Sequence, residues 1–69
     1  MRSWLINIRG NKTQKAVADE CGISQNFYSW IEQGKRNPSV EVAKRIAAVL
    51  GFDWTRFFED PPGDKAVNL

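Results

Sequence analysis

The stretch that most narrows what this chain can fold into begins at Thr13 and ends at Gly34, TQKAVADECGISQNFYSWIEQG. Thr13 and Ser24 stand where hydroxyl side chains cap helix N-termini, because their oxygens accept a first-turn N–H that has no partner in the helix. Gly22 and Gly34 stand where helices end in left-handed backbone, which glycine adopts without steric cost. The pattern predicts two short helices joined by a tight turn, 14–21 and 25–33.

The apolar residues of this stretch indicate how the two helices pack. Val17, Ala18 and Cys21 share one side of the first helix, at offsets of one and four residues. On the second helix, Phe27, Tyr28 and Ile31 do the same, with Ser24 at its start. The small residues Ala18 and Gly22 allow the helices to meet closely at a steep angle. This arrangement is typical of a helix-turn-helix.

The rest of the chain predicts three more helices and no alternating strand pattern. Ser3 is expected to cap a first helix that runs to about Arg9. Ser39 is expected to cap a fourth helix from Val40 to Leu50, with an apolar stripe at spacings of three and four. Asp53 is expected to cap a fifth, Trp54 to Glu59, whose aromatic side, formed by Trp54, Phe57 and Phe58, closes the core. We therefore predict an all-α fold, a compact bundle of five short helices.

Length and composition limit the domain count and the class of protein. A chain of 69 residues makes one domain. We assign this domain to residues 1–59. We expect residues 60–69, which contain the run Pro61-Pro62-Gly63, to form a disordered C-terminal tail. A single Cys and no His exclude an internal disulfide and a zinc site. Neither a signal peptide nor a membrane span is visible, so we expect a cytoplasmic protein.

The sequence contains no group of residues that could act together as a catalytic site. Without His there is no imidazole base that works near neutral pH. Cys21 lies on an apolar helix side and is expected to be a core residue rather than a nucleophile. The eight carboxylates are scattered along surface-type positions. We predict no enzymatic activity, no cofactor, no metal and no small-molecule substrate.

The outward side of the second motif helix is polar, uncharged and rich in amides. It carries Gln25, Asn26, Ser29 and Gln33. Solvated helices usually carry Lys and Glu there, whereas Gln and Asn can pair with adenine in the major groove of DNA and Ser can serve several bases. The alternative is that these are ordinary polar residues on a wet helix. Their place on the second helix of this motif favours contacts to bases.

Groups suited to phosphate surround that side. Gln14 opens the preceding helix, whose N-terminus favours anions, and Lys15 follows it. Lys35 and Arg36 lie in the loop beyond the second helix, and Lys12 lies in the turn before the first. Residues 1–58 hold nine basic and five acidic side chains, a net charge of +4, which is a modest bias of the kind that nucleic-acid binders use. The alternative of solvated loop charges is stronger for Lys12 and Lys15 than for Lys35 and Arg36.

Residues 13–58 resemble the Cro and phage-repressor type of helix-turn-helix, the XRE family. The matching segments are TQKAVADECGIS, NFYSWIEQGKRNPSVEVAKRIAAVLG and FDWTRFF. The resemblance implies a lambda-repressor-like fold in which the third helix enters the major groove. It implies base contacts at Gln25, Asn26 and Trp30, with Ser29 nearby. It also implies phosphate contacts at Gln14 and in the loop after the third helix, Lys35, Arg36 and Asn37.

Two further residues need interpretation. Trp30 stands where the family usually has a polar or basic residue, so it either contacts a sugar or a thymine methyl group or covers the edge of the core, and we favour the second. The turn before Thr13 is about two residues shorter than the family pattern. If that is allowed for, the resemblance implies that Arg9 pairs with Glu32 and fixes the angle between two helices. The alternative is that Glu32 is a surface carboxylate of little energetic weight.

The sequence thus predicts a sequence-specific binder of double-stranded DNA, a small prokaryotic or phage transcriptional regulator. One such module touches few base pairs, so we expect a homodimer on a palindromic operator, with Trp54, Phe57 and the fifth helix as candidates for the dimer surface. The alternative is a protein-interaction module, such as an antitoxin or an adaptor, with the same fold.

Overall fold

The computed structural model describes residues 1–59, which form helices and the turns between them. The helices are α1 (Ser3–Arg9), α2 (Gln14–Cys21), α3 (Gln25–Gln33), α4 (Val40–Leu50) and a final 3-10 helix (Trp54–Phe58). No strand occurs within this range. The all-α prediction and the helix-turn-helix of α2 and α3 are confirmed. The predicted tail, residues 60–69, lies outside the described residues.

Side-chain caps begin most of these helices. Four predicted cap residues each accept a hydrogen bond from a backbone N–H two or three residues ahead, at 3.0 to 3.2 Å: Thr13, Ser24, Ser39 and Asp53. The prediction that Ser3 caps α1 is wrong. Ser3 is the first residue of α1, and Arg2 precedes it without a side-chain cap. The carbonyl of Arg2 instead accepts the N–H groups of Leu5 and Ile6, so the helix starts one residue early.

Glycines end α2 and α3 in left-handed backbone, as the sequence predicts. Gly22 has a φ of 72° and Gly34 a φ of 79°, values that a side chain would strain. In both cases the N–H of the residue after the glycine returns to a carbonyl in the last turn. Ile23 donates to Ala18 at 3.0 Å, and Lys35 donates to Trp30 at 2.9 Å. These bonds satisfy carbonyls that the helix leaves free and fix where the chain turns.

The core lies where α2 meets α3 and α4. Its buried members come from every helix, and they include Cys21, as predicted: Leu5, Val17, Ala18, Cys21, Tyr28, Ile31, Ala43, Ile46 and Phe57. α1 packs against α3, and the 3-10 helix packs against α4. Because α3 is supported by both α1 and α2, its orientation is set by contacts on two sides.

The C-terminal aromatic cluster differs from the prediction. Trp4, Phe52 and Phe57 meet edge to face, with ring centroids 5.2 to 5.5 Å apart. The fifth helix is a 3-10 helix that ends at Phe58, and with three residues per turn it aligns Trp54 with Phe57 and turns Phe58 aside. Phe58 is therefore 46% exposed, not a core residue. Phe57 is buried, so it is not available for the dimer surface, for which the sequence made it a candidate.

Candidate nucleic-acid interface

Helix α3 divides sharply into a buried side and an exposed side. Tyr28, Ile31 and Glu32 are buried, whereas Gln25 and Asn26 in its first turn are exposed. Within residues 1–59 no hydrogen bond engages the side-chain amide of Gln25 or Asn26. Each amide can donate and accept at once, which is what pairing with a base edge requires.

Ser29 and Gln33 continue the exposed side towards the end of α3. The Nε2 of Gln33 donates to the Oγ of Ser29 at 2.9 Å, and Ser29 is half-buried. The hydroxyl of Ser29 keeps its own proton to donate, because a hydroxyl accepts and donates at the same time. Ser29 is therefore a more restricted candidate for base contact than Gln25 or Asn26.

Trp30 is more exposed than the side chains that line the core, so the core-edge role that we favoured from the sequence stays a prediction. Its side chain is 40% exposed and is not among the residues packed against the core. The guanidinium carbon of Arg36 lies 5.5 Å from the centroid of its ring, within the range of a cation–π interaction. The carbonyl of Trp30 also accepts the N–H groups of Lys35 and Arg36 at 2.9 and 3.3 Å. Trp30 is thus joined to the loop that follows α3.

A buried carboxylate joins α1 and α3. Glu32 is 2% exposed, and its Oε2 lies 2.5 Å from the Nε of Arg9, while its Oε1 lies 3.2 Å from the Nη2 of Arg9. The Nη1 of Arg9 donates in addition to the carbonyl of Lys12 at 2.7 Å. The structure therefore places Arg9 and Glu32 together despite the short turn, and that turn is itself held by the arginine.

Gln14 belongs to the same network, a role that the sequence analysis missed. Its Nε2 donates to the Oε1 of Glu32 at 2.8 Å. The N-terminus of α2, a candidate phosphate site, is thereby tied to α3. An amide nitrogen has two protons, so one donor of Gln14 remains for a phosphate oxygen. The cap at Thr13 carried the signal that Gln14 begins a helix, but no local pattern points to Glu32.

Protonation in this network is set by burial and by the arginine. Burial acts to raise the pKa of Glu32, but the hydrogen bonds from Arg9 and Gln14 outweigh it, so that pKa lies below its ordinary value. Burial, reinforced by the nearby Glu32, raises the pKa of Tyr28 far above its ordinary value. The buried hydroxyl of Tyr28 has no hydrogen-bond partner of good geometry in the described part of the chain. Glu32 is therefore charged and Tyr28 neutral at neutral pH.

The four basic side chains suited to phosphate fall into two groups. Lys12 lies 3.5 Å from Glu20, and Lys15 lies 3.1 Å from Asp19, so both have carboxylate partners on α2. Lys35 and Arg36 form no ion pair with any residue of the range 1–59, and both are exposed. Asn37 beside them is exposed too, and its Oδ1 accepts a hydrogen bond from Arg2 at 2.5 Å. Within residues 1–59, Lys35 and Arg36 thus place two positive charges without a carboxylate partner beside the end of α3.

Among the residues described, no group of three or more His, Cys, Asp and Glu side chains is placed to hold a metal ion. No helix in that same range has the length and apolar character needed to cross a membrane.

Comparison with known proteins defines the class. A family model described as helix-turn-helix matches residues 5–57, and the chain belongs to this family, as its resemblance to the XRE type predicted. It is 52% identical over 62 residues to an uncharacterized HTH-type transcriptional regulator, YqaF, of Bacillus subtilis, covering 87% of this chain and 82% of that protein. It is 36% identical over 59 residues to the control protein C.MunI of a Mycoplasma species, covering 81% and 80%. No solved structure matches the chain.

Proposed function

We propose that the protein is a sequence-specific, double-stranded DNA-binding transcriptional regulator of a bacterium or phage, and that α3 enters the major groove. The observation that carries this proposal is the exposed pair of amides, Gln25 and Asn26, on the first turn of the second helix of the motif. The descriptions of the two relatives, a transcriptional regulator and a control protein, support the same function.

The contacts divide into two kinds. Gln25, Asn26 and Ser29 contact base edges, which carry sequence information. The phosphate contacts come from both ends of the motif and set position and salt-dependent affinity: Gln14, Lys15, Lys35, Arg36 and Asn37. Trp30, the fourth candidate for base contact, stacks on Arg36, and this favours a role beside the phosphates.

Two copies of the chain bind one operator. A two-fold homodimer places its recognition helices about 34 Å apart on a palindromic site, one turn of B-DNA. Trp54 and Phe58 are the candidates for the dimer surface, because Trp54 is half-buried and Phe58 is exposed beside it, with ring centroids 6.1 Å apart. The protein acts in the cytoplasm by occupying the operator, and it has no catalytic role.

A protein-interaction module is the competing function, and binding to random duplex DNA at two salt concentrations separates the two. A DNA binder loses affinity steeply as salt rises, because each neutralised phosphate releases counterions and contributes about −0.9 to the slope of log K against log salt. Selection from a random duplex pool then supplies the operator, and the selected sites should be palindromic. If wild-type protein fails to bind any duplex at low salt, the proposal is wrong and the interaction module is favoured.

A further inference from the structure

Arg2 lies across the C-terminal end of α3 and contacts it through both backbone and side chain. Its backbone N–H donates to the carbonyl of Glu32 at 2.7 Å. Its Nη1 donates to the carbonyl of Ile31 at 2.5 Å and to that of Arg36 at 3.2 Å. Its Nη2 donates to the Oδ1 of Asn37 at 2.5 Å. One guanidinium therefore joins the last turn of α3 to the loop that follows it.

The chemistry of these contacts is specific to arginine. The last carbonyls of a helix have no partner within it, and the negative end of the helix dipole favours a cation there. A guanidinium carries five N–H donors in a rigid plane, so it can serve several acceptors at once, which an ammonium on a flexible chain does not reproduce. The guanidinium carbon of Arg2 also lies 5.6 Å from the centroid of the Phe57 ring. The loop is thereby anchored to a core residue.

The contact with Asn37 determines which end of that amide is free. Because its Oδ1 accepts from Arg2, the Nδ2 group, with two N–H donors, is the end left for another partner. Phosphate oxygens are acceptors, so they require donors. The backbone of Arg36 is held by the same guanidinium, and its own side chain is exposed. Arg2 thus holds the backbone of Arg36 and leaves the Nδ2 donors of the neighbouring Asn37 free.

We propose that Arg2 is a positioning residue for DNA binding: it holds Arg36 and Asn37 in the geometry that meets a DNA phosphate, without contacting DNA itself. The inference rests on the proposed function, since it assigns a role within DNA binding. It adds a residue outside the helix-turn-helix to the determinants of affinity and leaves base specificity to α3.

The test separates positioning from charge and from stability. Dissociation constants are measured against salt on the selected operator and on random duplex for wild type, Arg2→Lys, Asn37→Ala and the double variant. Measurements are made well below the midpoint of each thermal melt. Arg2→Lys keeps the charge but not the planar donors. We expect it to lower the magnitude of the salt slope by about 0.9, because only the phosphate contact of the charged Arg36 counts towards that slope. The operator-to-random ratio, meaning the ratio of the affinities for operator and random duplex, should stay unchanged. The double variant should lose no more than Arg2→Lys alone.

Arg45→Lys is the matched control. Like Arg2, Arg45 donates both to a backbone carbonyl, that of Cys21, and to a side-chain oxygen, that of Glu41. Unlike Arg2, it lies on α4, away from the loop after α3. This variant should keep the wild-type slope. Asn37→Gln tests the geometry without altering Arg2: it keeps the amide but displaces it by one methylene group. It should therefore raise the dissociation constants for operator and random duplex as much as Asn37→Ala does, with the salt slope unchanged because no charge is removed.

The outcomes are distinguishable from failure of the proposed function. Wild-type protein that binds no duplex refutes the DNA-binding proposal itself. If wild type binds and Arg2→Lys keeps the wild-type slope, or changes the operator-to-random ratio, the role of Arg2 is refuted alone. If Arg2→Lys melts below the assay temperature, Asn37→Gln decides: wild-type dissociation constants overturn the inference, and dissociation constants equal to those of Asn37→Ala support it.

Discussion

Arg9 and Glu32 lie 23 residues apart in the chain and meet through two hydrogen bonds, from Nε at 2.5 Å and from Nη2 at 3.2 Å. The pair is asymmetric, since the carboxylate is 2% exposed and the arginine side chain is 18% exposed. Gln14 supplies a third donor to the same carboxylate. Three helices of the domain are therefore joined at one side chain, and the two partners differ in how easily each could return to water.

That asymmetry predicts unequal effects of removing either partner. Arg9→Met leaves a buried, uncompensated carboxylate and should lower the free energy of unfolding by about 3–5 kcal/mol. Glu32→Ala removes hydrogen bonds to a charged group but leaves an arginine that can turn to solvent, so we expect a smaller loss, about 1.5–3 kcal/mol. Urea unfolding measures both. Glu41→Ala, which breaks the exposed pair with Arg45, is the control and should cost about 0.3–0.5 kcal/mol.

We also expect Glu32→Ala to act mainly on stability and less on the ratio of operator affinity to random-duplex affinity of the folded protein. The reason is that the carboxylate lies on the buried side of α3. An unchanged melting curve for Glu32→Ala would remove the structural role. If Glu32→Ala instead abolished the preference for operator over random duplex and left stability unchanged, Glu32 would be a base-contact residue.

The lowered pKa of Glu32 predicts acid sensitivity. When the folded-state pKa of a carboxyl lies below its unfolded value, the stabilisation is complete above the unfolded pKa and is lost as pH falls through the folded one. Stability should therefore decline below the ordinary pKa of 4.5. Chemical denaturation at a series of pH values measures this, and Glu32→Gln should flatten the decline. Glu41→Gln, which removes an exposed carboxylate of α4, is the control. If Glu32→Gln declines as steeply as wild type, other carboxylates dominate.

Tyr28→Phe tests whether the buried hydroxyl contributes to folding. Because that hydroxyl has no partner of good geometry in the described residues, its removal should leave stability unchanged or raise it by up to about 1 kcal/mol, a Tm increase of about 4–8 °C. Ile31→Val, which only removes a methylene group from the same core, should cost about 0.5–1.5 kcal/mol and sets the scale. A loss of more than that in Tyr28→Phe would mean that the hydroxyl donates to Glu32.

Gln25→Ala and Asn26→Ala should relax base specificity. Each should reduce discrimination at one or two operator positions by about 1–3 kcal/mol, because a bidentate pair with a base is lost. Competition binding between the operator and its single-base variants measures this. Asn7→Ala removes an exposed amide from α1 and should change nothing. Equal losses on operator and random DNA would assign these amides to the phosphates.

Trp30 and Arg36 should act as one unit. Both Trp30→Ala and Arg36→Ala should weaken binding to operator and random DNA alike. The coupling in a double-mutant cycle should be about 0.5–1 kcal/mol, or roughly two- to fivefold in Kd, the usual strength of an exposed cation–π contact. Lys35→Ala with Trp30→Ala is the control cycle and should be additive. Loss of operator preference in Trp30→Ala would return Trp30 to the base-contact residues.

The fold followed from the sequence because its signals are local. Hydroxyl caps at Thr13 and Ser24 and left-handed glycines at Gly22 and Gly34 act within one turn of backbone, so neighbouring residues suffice to predict them. The errors came where local rules compete. At Ser3 a hydroxyl sits in a good cap position, yet the helix begins there. At Phe58 the helix is 3-10 rather than α, which changes the side that each residue faces.

The candidate site was predictable only in part, because its supporting contacts join distant residues. The exposed position of Gln25 and Asn26 follows from helix periodicity. The hydrogen bonds of Arg2 to Asn37 and of Gln14 to Glu32 span 35 and 18 residues, and no spacing rule points to them. The contact between the Trp30 ring and Arg36 was not predictable either, because Arg36 lies beyond the end of α3.

The two sides of α3 also bear on how such a protein changes over generations. Tyr28, Ile31 and Glu32 hold the helix in place, while Gln25 and Asn26 take no part in the core. Substitutions at the exposed pair therefore leave folding nearly untouched. Under the proposed role of Gln25 and Asn26, new operator preferences should be reachable by single substitutions, without an unstable intermediate. A set of diverged copies could then share one scaffold while recognising different sites.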